Sequence, residues 1–187
     1  MNIVRIALAT AVLLLLPLVA MQFTDGVTWG PADFVVAGVL LFGSGLTYEL
    51  IAGRRGSVVY RFAVGLAVAA ALLLVWVNLA VGIIGDETNP ANLMYGGVLV
   101  IGFVGAAIAG LKPCGMARAL FAMALAQAFV AGIALTIWKP EGGSVELVRV
   151  VGANALFVTL FVGSALLFQR AAREEPQGLA TGNLQTS

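Results

Sequence analysis

Long apolar runs separated by short polar breaks set the pattern of this chain. They cover residues 3–23, 34–52, 60–85, 93–111, 117–138 and 147–169. Each is close to or above the roughly 20 residues that a helix needs to cross hydrocarbon. The breaks carry turn and cap chemistry: Asp25, Trp29, Pro31 and Asp33 in the first, Asp86-Glu87-Thr88-Asn89-Pro90 in another, Lys112-Pro113-Cys114-Gly115 in a third. The pattern predicts an all-α membrane protein, a bundle of six transmembrane helices in one domain over residues 1–170. Residues 171–187 are polar and rich in Gly, Gln, Glu and Thr, which predicts a flexible cytoplasmic tail. The first run, opened by Arg5, also has the form of a secretory signal ending at Val19-Ala20, and cleavage there would leave five spans. Against cleavage, Leu18 stands three residues before that point, where a small side chain is wanted, and the run is long for a signal.

Composition narrows the class. Of 187 residues, 61% are apolar and 10% charged, against roughly 45–50% apolar in soluble domains. The residues left between spans are too few for a folded extramembrane domain. Net charge is +1 with no basic block, so nucleic acid is not an expected partner; the lipid bilayer is. Histidine is absent and Cys114 is the only cysteine. The first removes the usual haem ligand, the commonest zinc ligand and the base of a serine or cysteine triad. The second removes an intramolecular disulfide and a thiolate cluster. The expectation is a protein without cofactor, metal or catalytic site, and not an enzyme.

Basic residues predict orientation, since they stay on the cytoplasmic side. With both termini inside, that side receives Arg5, Arg54, Arg55, Arg61, Lys112, Arg118, Arg170 and Arg173, and the outside only Lys139 and Arg149. Asp25, Asp33, Asp86, Glu87, Glu141 and Glu146 lie outside, Glu49, Glu174 and Glu175 inside. Trp29, Trp76, Tyr95 and Trp138 then fall near the outer interface, and Tyr48, Tyr60 and Phe168 near the inner one. The segments 37–40 and 96–99, and Arg61 and Arg118, align as a faint repeat of two helical hairpins.

Few side chains offer chemistry. Asn78, Gln127 and Asn154 are amides that cannot easily reach water. Counted at 1.5 Å per residue from the outer helix ends, Asn78 and Asn154 lie about 10 Å deep, Gln127 about 16 Å and Ser44 about 15 Å. They form a candidate polar layer, either interhelical hydrogen bonds or the lining of an outward-facing cavity. Arg149 stands on the wrong side for the charge rule and is expected to pair with Glu146, Asp86 or Glu87. Glu49 is a candidate intramembrane acid, close enough to Arg54 and Arg55 to pair with them at the interface. Asp25, Asp33, Asp86 and Glu87 share one surface without the spacing of a calcium loop. Asn89-Pro90-Ala91 matches the tripeptide at the half-helix ends of aquaporins, but it occurs once and reads as a helix start, with Asn89 as N-cap and Pro90 in the first turn. Small residues four apart, Gly102, Ala106 and Gly110, and Ala124, Ala128 and Gly132, predict close helix approach within the chain or in a homo-oligomer.

The stretch Trp76 to Gly85, continued through Glu87 and residues 89–95, with Met21-Gln22-Phe23-Thr24-Asp25 and Gly115-Met116-Ala117-Arg118-Ala119-Leu120, resembles segments of uncharacterised small multi-pass inner-membrane proteins of bacteria. The resemblance implies residence in the bacterial inner (cytoplasmic) membrane and carries no activity with it. The expected function is an accessory or interaction subunit; the alternative is a small transporter or channel built on the polar layer.

Overall fold

The computed structural model describes residues 3–24, 28–53, 57–137 and 143–184, with the side chains of the last helix described over 145–174. Six α-helices follow in order: α1 Ile3–Phe23, α2 Pro31–Ala52, α3 Val58–Ala80, α4 Leu93–Ala109, α5 Pro113–Ile137 and α6 Gly143–Leu184. A 3-10 turn, Pro90–Asn92, leads into α4. No strand occurs among the described residues, and all six helices are long and apolar enough to span a membrane. The protein is therefore an all-α, multi-pass membrane protein.

Where the hydrophobic pattern predicts one bundle over residues 1–170, the chain folds as two compact units, residues 1–54 and 55–187. The first is the α1–α2 hairpin. Pro31 opens α2 at the position where its missing N–H costs nothing, and the Gly30 N–H donates to Asp33 Oδ2 at 2.8 Å. A Cβ built at Gly38 would touch Leu14 and one at Gly45 would clash with Ile6, so α1 packs along a glycine face of α2.

The second unit places α6 against both α5 and α3, and α5 against α4. Its core is a run of large apolar side chains from facing helices: Tyr60 and Leu74 of α3, Met123 of α5, Phe157, Phe161 and Phe168 of α6. The Tyr60 and Phe168 rings meet edge to face with centroids 5.2 Å apart. Ser164 Oγ donates to the Ala63 carbonyl at 2.8 Å, a buried α6–α3 bond. Glycine sets the α4–α5 approach: a Cβ at Gly105 would stand 2.6 Å from the Ala119 Cβ, and one at Gly115 equally close to the Ala109 Cβ. The contact face of α4 thus includes Gly102, Gly105 and Ala109, spaced by three and four. The four-residue stripe expected from sequence is only partly used. Gly102 faces Met123 and Ala124 is buried, but Gly110 is the left-handed C-cap of α4, and Ala128 and Gly132 are exposed.

Several helix ends depart from the hydrophobic boundaries. The third apolar run continues to Gly85, but α3 stops at Ala80 because Gly82 and Gly85 take positive φ, +69° and +68°. The fifth helix starts four residues before its apolar run, at Pro113, and α6 begins at Gly143 and runs on through Leu184. Residues 171–184 of the expected flexible tail continue α6 as far as Leu184; Ala171 is buried, and the Ser57 hydroxyl before α3 donates to Glu174 at 3.0 Å. Trp138, Lys139 and Glu141 lie outside the described residues, as do Asp25, Arg54 and Arg55.

Candidate functional site

The polar side chains that sequence singles out do not all meet. Gln127 of α5 and Asn154 of α6 do: Gln127 Nε2 donates to Asn154 Oδ1 at 3.0 Å, and both residues are buried, 0% and 2% exposed. A third member comes from α4. The Tyr95 hydroxyl, itself 1% exposed, accepts from Asn154 Nδ2 at 3.0 Å and lies 3.3 Å from Asn154 Oδ1. Asn154 Nδ2 also donates to the Val150 carbonyl one turn back, at 2.8 Å. Asn154 therefore uses both amide protons and its carbonyl, and one side chain joins α4, α5 and α6. Gln127 is less well served: its Oε1 is buried without a hydrogen-bond partner, which costs about 1–3 kcal/mol.

Asn78 takes another course. Its Nδ2 donates to the Leu74 carbonyl of its own helix at 2.8 Å, and its buried Oδ1 has no partner. Such back-bonding satisfies a donor without tying helices together. Ser44 and Glu49 are half-buried on α2, which belongs to the first unit. The arginines expected beside Glu49, Arg54 and Arg55, are outside the described residues.

At the end of the second unit where α3 passes to α4, the loop 81–92 is built around Asn92. Its Oδ1 accepts from the Ile83 and Ile84 amides at 3.1 and 3.0 Å, and its Nδ2 donates to the carbonyls of Ile84 and Asp86 at 3.2 and 2.6 Å. This amide replaces the backbone partners lost when α3 stops, and lets Ile83 and Ile84 bury at 1% and 2% exposure. Asn89 caps the 3-10 turn, accepting from the Ala91 amide at 2.9 Å, so Asn89-Pro90-Ala91 is a helix start. The Asp86 carboxylate accepts the hydroxyl and the amide of Thr88, at 2.6 and 2.9 Å. These bonds, the hydroxyl first, with a backbone bond at Asn89, outweigh the slight burial and hold its pKa below the usual 3.8.

Arg149 reaches this loop from α6. Its guanidinium donates to the Gly85 carbonyl and lies 3.6 Å from Glu146 Oε1, the i−3 partner. Of the three expected acids it therefore meets Glu146; Asp86 is engaged by Thr88, and Glu87 is exposed.

Sequence reasoning missed Tyr95, placed at an interface as an amphipathic ring, and Asn92, which entered only within the stretch 89–95 that carries the resemblance. The available signals were the i, i+3 spacing of Asn92 and Tyr95 at a helix start and the glycines bracketing Ile83-Ile84. Chemically, the cluster of a phenol and two amides holds hydrogen bonds and contains no nucleophile or acid–base pair at working distance. Among the described residues no group of three or more His, Cys, Asp or Glu side chains is placed to hold a metal ion. Comparison with protein-family models, curated proteins and solved structures gives no match.

Proposed function

We propose that the protein is a non-enzymatic integral membrane protein that acts as an accessory or interaction subunit. The observation that supports this best is the direct, sealed contact of Tyr95, Gln127 and Asn154, whose hydrogen bonds join α4, α5 and α6. A subunit of this kind needs a fixed helical surface, and interhelical amide bonds fix helix rotation. The exposed small residues Ala128 and Gly132 of α5 offer a face for a second copy or another membrane protein. In keeping with the charge rule, both termini are cytoplasmic, and the location is the bacterial inner membrane, as the resemblance to small multi-pass proteins there implies. Reporter fusions after Gly56 and Gly115 then read cytoplasm and one after Thr88 reads periplasm.

A second reading, a small transporter or channel, draws on the two buried oxygens without partners, Gln127 Oε1 and Asn78 Oδ1. Each would accept from a donor solute. Flux through liposomes containing the purified full chain separates the readings. The subunit reading expects no flux of water or small polar solutes above protein-free liposomes, and migration in a complex larger than the 19.3 kDa chain after mild extraction. A flux that Gln127→Met or Asn78→Leu abolishes, with helical content unchanged, would overturn it in favour of transport.

A further inference from the structure

The end of the second unit opposite the Asn92 loop is strongly basic and carries an open groove. Three contacts mark that end: Ser57 on Glu174, the Tyr60 hydroxyl on the Leu111 carbonyl at 2.9 Å, and Tyr60 on Phe168. Its described charged side chains are Arg61, Lys112, Arg118, Arg170 and Arg173, with Glu174 alone opposing them, whereas the Asn92 end carries Asp86, Glu87 and Glu146 with Arg149. Between α4 and α5 at the basic end lies a groove of about 380 Å³, lined by Gly105, Ile108, Ala109, Gly115, Arg118 and Ala119. The glycines and alanines keep its floor at backbone level. Ile108 stands at its edge, 83% exposed, an apolar wall open to hydrocarbon.

Arg118 decides what such a groove takes. It sits five residues, about 7.5 Å, into α5, and its side chain leans toward the helix N-terminus, back to the level of Lys112 and the headgroups. A guanidinium there has an apolar slot beside it and a bilayer interface above it. We propose that this groove holds one anionic phospholipid, with its phosphate on Arg118 and the upper part of an acyl chain lying over Gly105, Ile108 and Ala109. The charge of the end selects against zwitterionic lipid, and the planar donor fork of arginine suits a phosphate diester. The site requires only that the helices span a bilayer and is independent of whether the protein serves a partner or a solute.

The test uses the full chain in detergent micelles, titrated with phosphatidylglycerol or phosphatidylcholine of the same acyl chains and read by native mass spectrometry. One phosphatidylglycerol is expected to stay bound where phosphatidylcholine is lost. Arg118→Gln weakens that binding by about tenfold, Arg118→Lys less, as expected for a lost charge-assisted phosphate bond. Arg170→Gln, the same charge change at the same end but outside the groove, leaves it within about twofold. Should the Arg118 variants fail to fold, Ile108→Trp supplies a reporter at the groove edge, quenched more by bromine-labelled phosphatidylglycerol than by bromine-labelled phosphatidylcholine. Equal retention or quenching by the two lipids, equal loss in Arg170→Gln and Arg118→Gln, displacement by inorganic phosphate, or a second copy of the chain excluding the lipid would each overturn the proposal.

Discussion

Replacing Asn154 by leucine removes a side chain that connects three helices, at nearly constant volume. It deletes the bond from Gln127 Nε2 and the exchange with the Tyr95 hydroxyl, leaving both groups buried and unpaired. Interhelical hydrogen bonds in membranes average about 0.6 kcal/mol and reach about 1.7, so two of them give about 1.2–3.4 kcal/mol. Orphaned donors add toward the upper half of that range, and the expected loss is about 2–3 kcal/mol. Gln127→Met differs in kind, because it removes one interhelical bond and also the unpartnered Oε1, whose burial already costs about 1–3 kcal/mol. Its net effect is therefore near zero or stabilising. Reversible unfolding by steric trapping in bicelles measures both, and the double variant isolates the coupling between them, expected at about 0.6–1.7 kcal/mol. Equal losses in the two single variants, or a coupling indistinguishable from zero, would refute the assignment of Asn154 as the shared partner.

The remaining predictions concern the loop, the tight helix pair and pH. Asn92→Ala removes four hydrogen bonds from the loop 81–92 and should speed amide exchange at Ile83 and Ile84 at least about tenfold, while leaving exchange in α5 unchanged. Gly105→Val forces a Cβ into Ala119 and is expected to cost at least about 2 kcal/mol in unfolding, whereas Gly97→Ala, with open space around it, should stay within about 0.5 kcal/mol. The depressed pKa of Asp86 means that its contribution to loop order is complete above its unfolded value, 3.8, and is lost as pH falls through the lower folded value. Thr88 amide exchange should therefore be flat in its protection from neutral pH down to about pH 5 and weaken only below about pH 4, and Thr88→Ala should move that midpoint upward.

Six helices were legible because span length and polar breaks are local properties, and α1 coincides with the run read from sequence, Ile3–Phe23. Boundaries failed where apolar residues serve outside a helix. Val81, Ile83 and Ile84 extend the third run in hydropathy, yet they lie in a loop whose isoleucines are buried by an amide from nine residues on. The polar layer was legible as depth and not as rotation. Depth placed Asn78 beside Gln127 and Asn154, but the direction of its side chain, toward Leu74 of its own helix, depends on the packing of α3 and not on its position along it. Tyr95 illustrates the converse. An aromatic two residues into a span fits an interface anchor by sequence, and only the neighbouring α6 makes it a buried hydrogen-bond partner. On α4 the small-residue face was legible only in part, because a four-residue period and an alternating three-and-four period share Gly102 and diverge after it.

The two asparagine-centred networks also differ in when they can form. Asn92 reaches partners eight and nine residues away, within one hairpin, so its bonds are available as soon as α3 and α4 have entered the bilayer together. Asn154 reaches 27 residues back to Gln127 and 59 back to Tyr95, so the second network waits for α6. Until α6 arrives, α5 therefore resides in lipid with the Gln127 Nε2 donor unclaimed by Asn154. The loop network joins α3 to α4 through local bonds, and Asn154 acts as the latch that closes α4, α5 and α6 on one another.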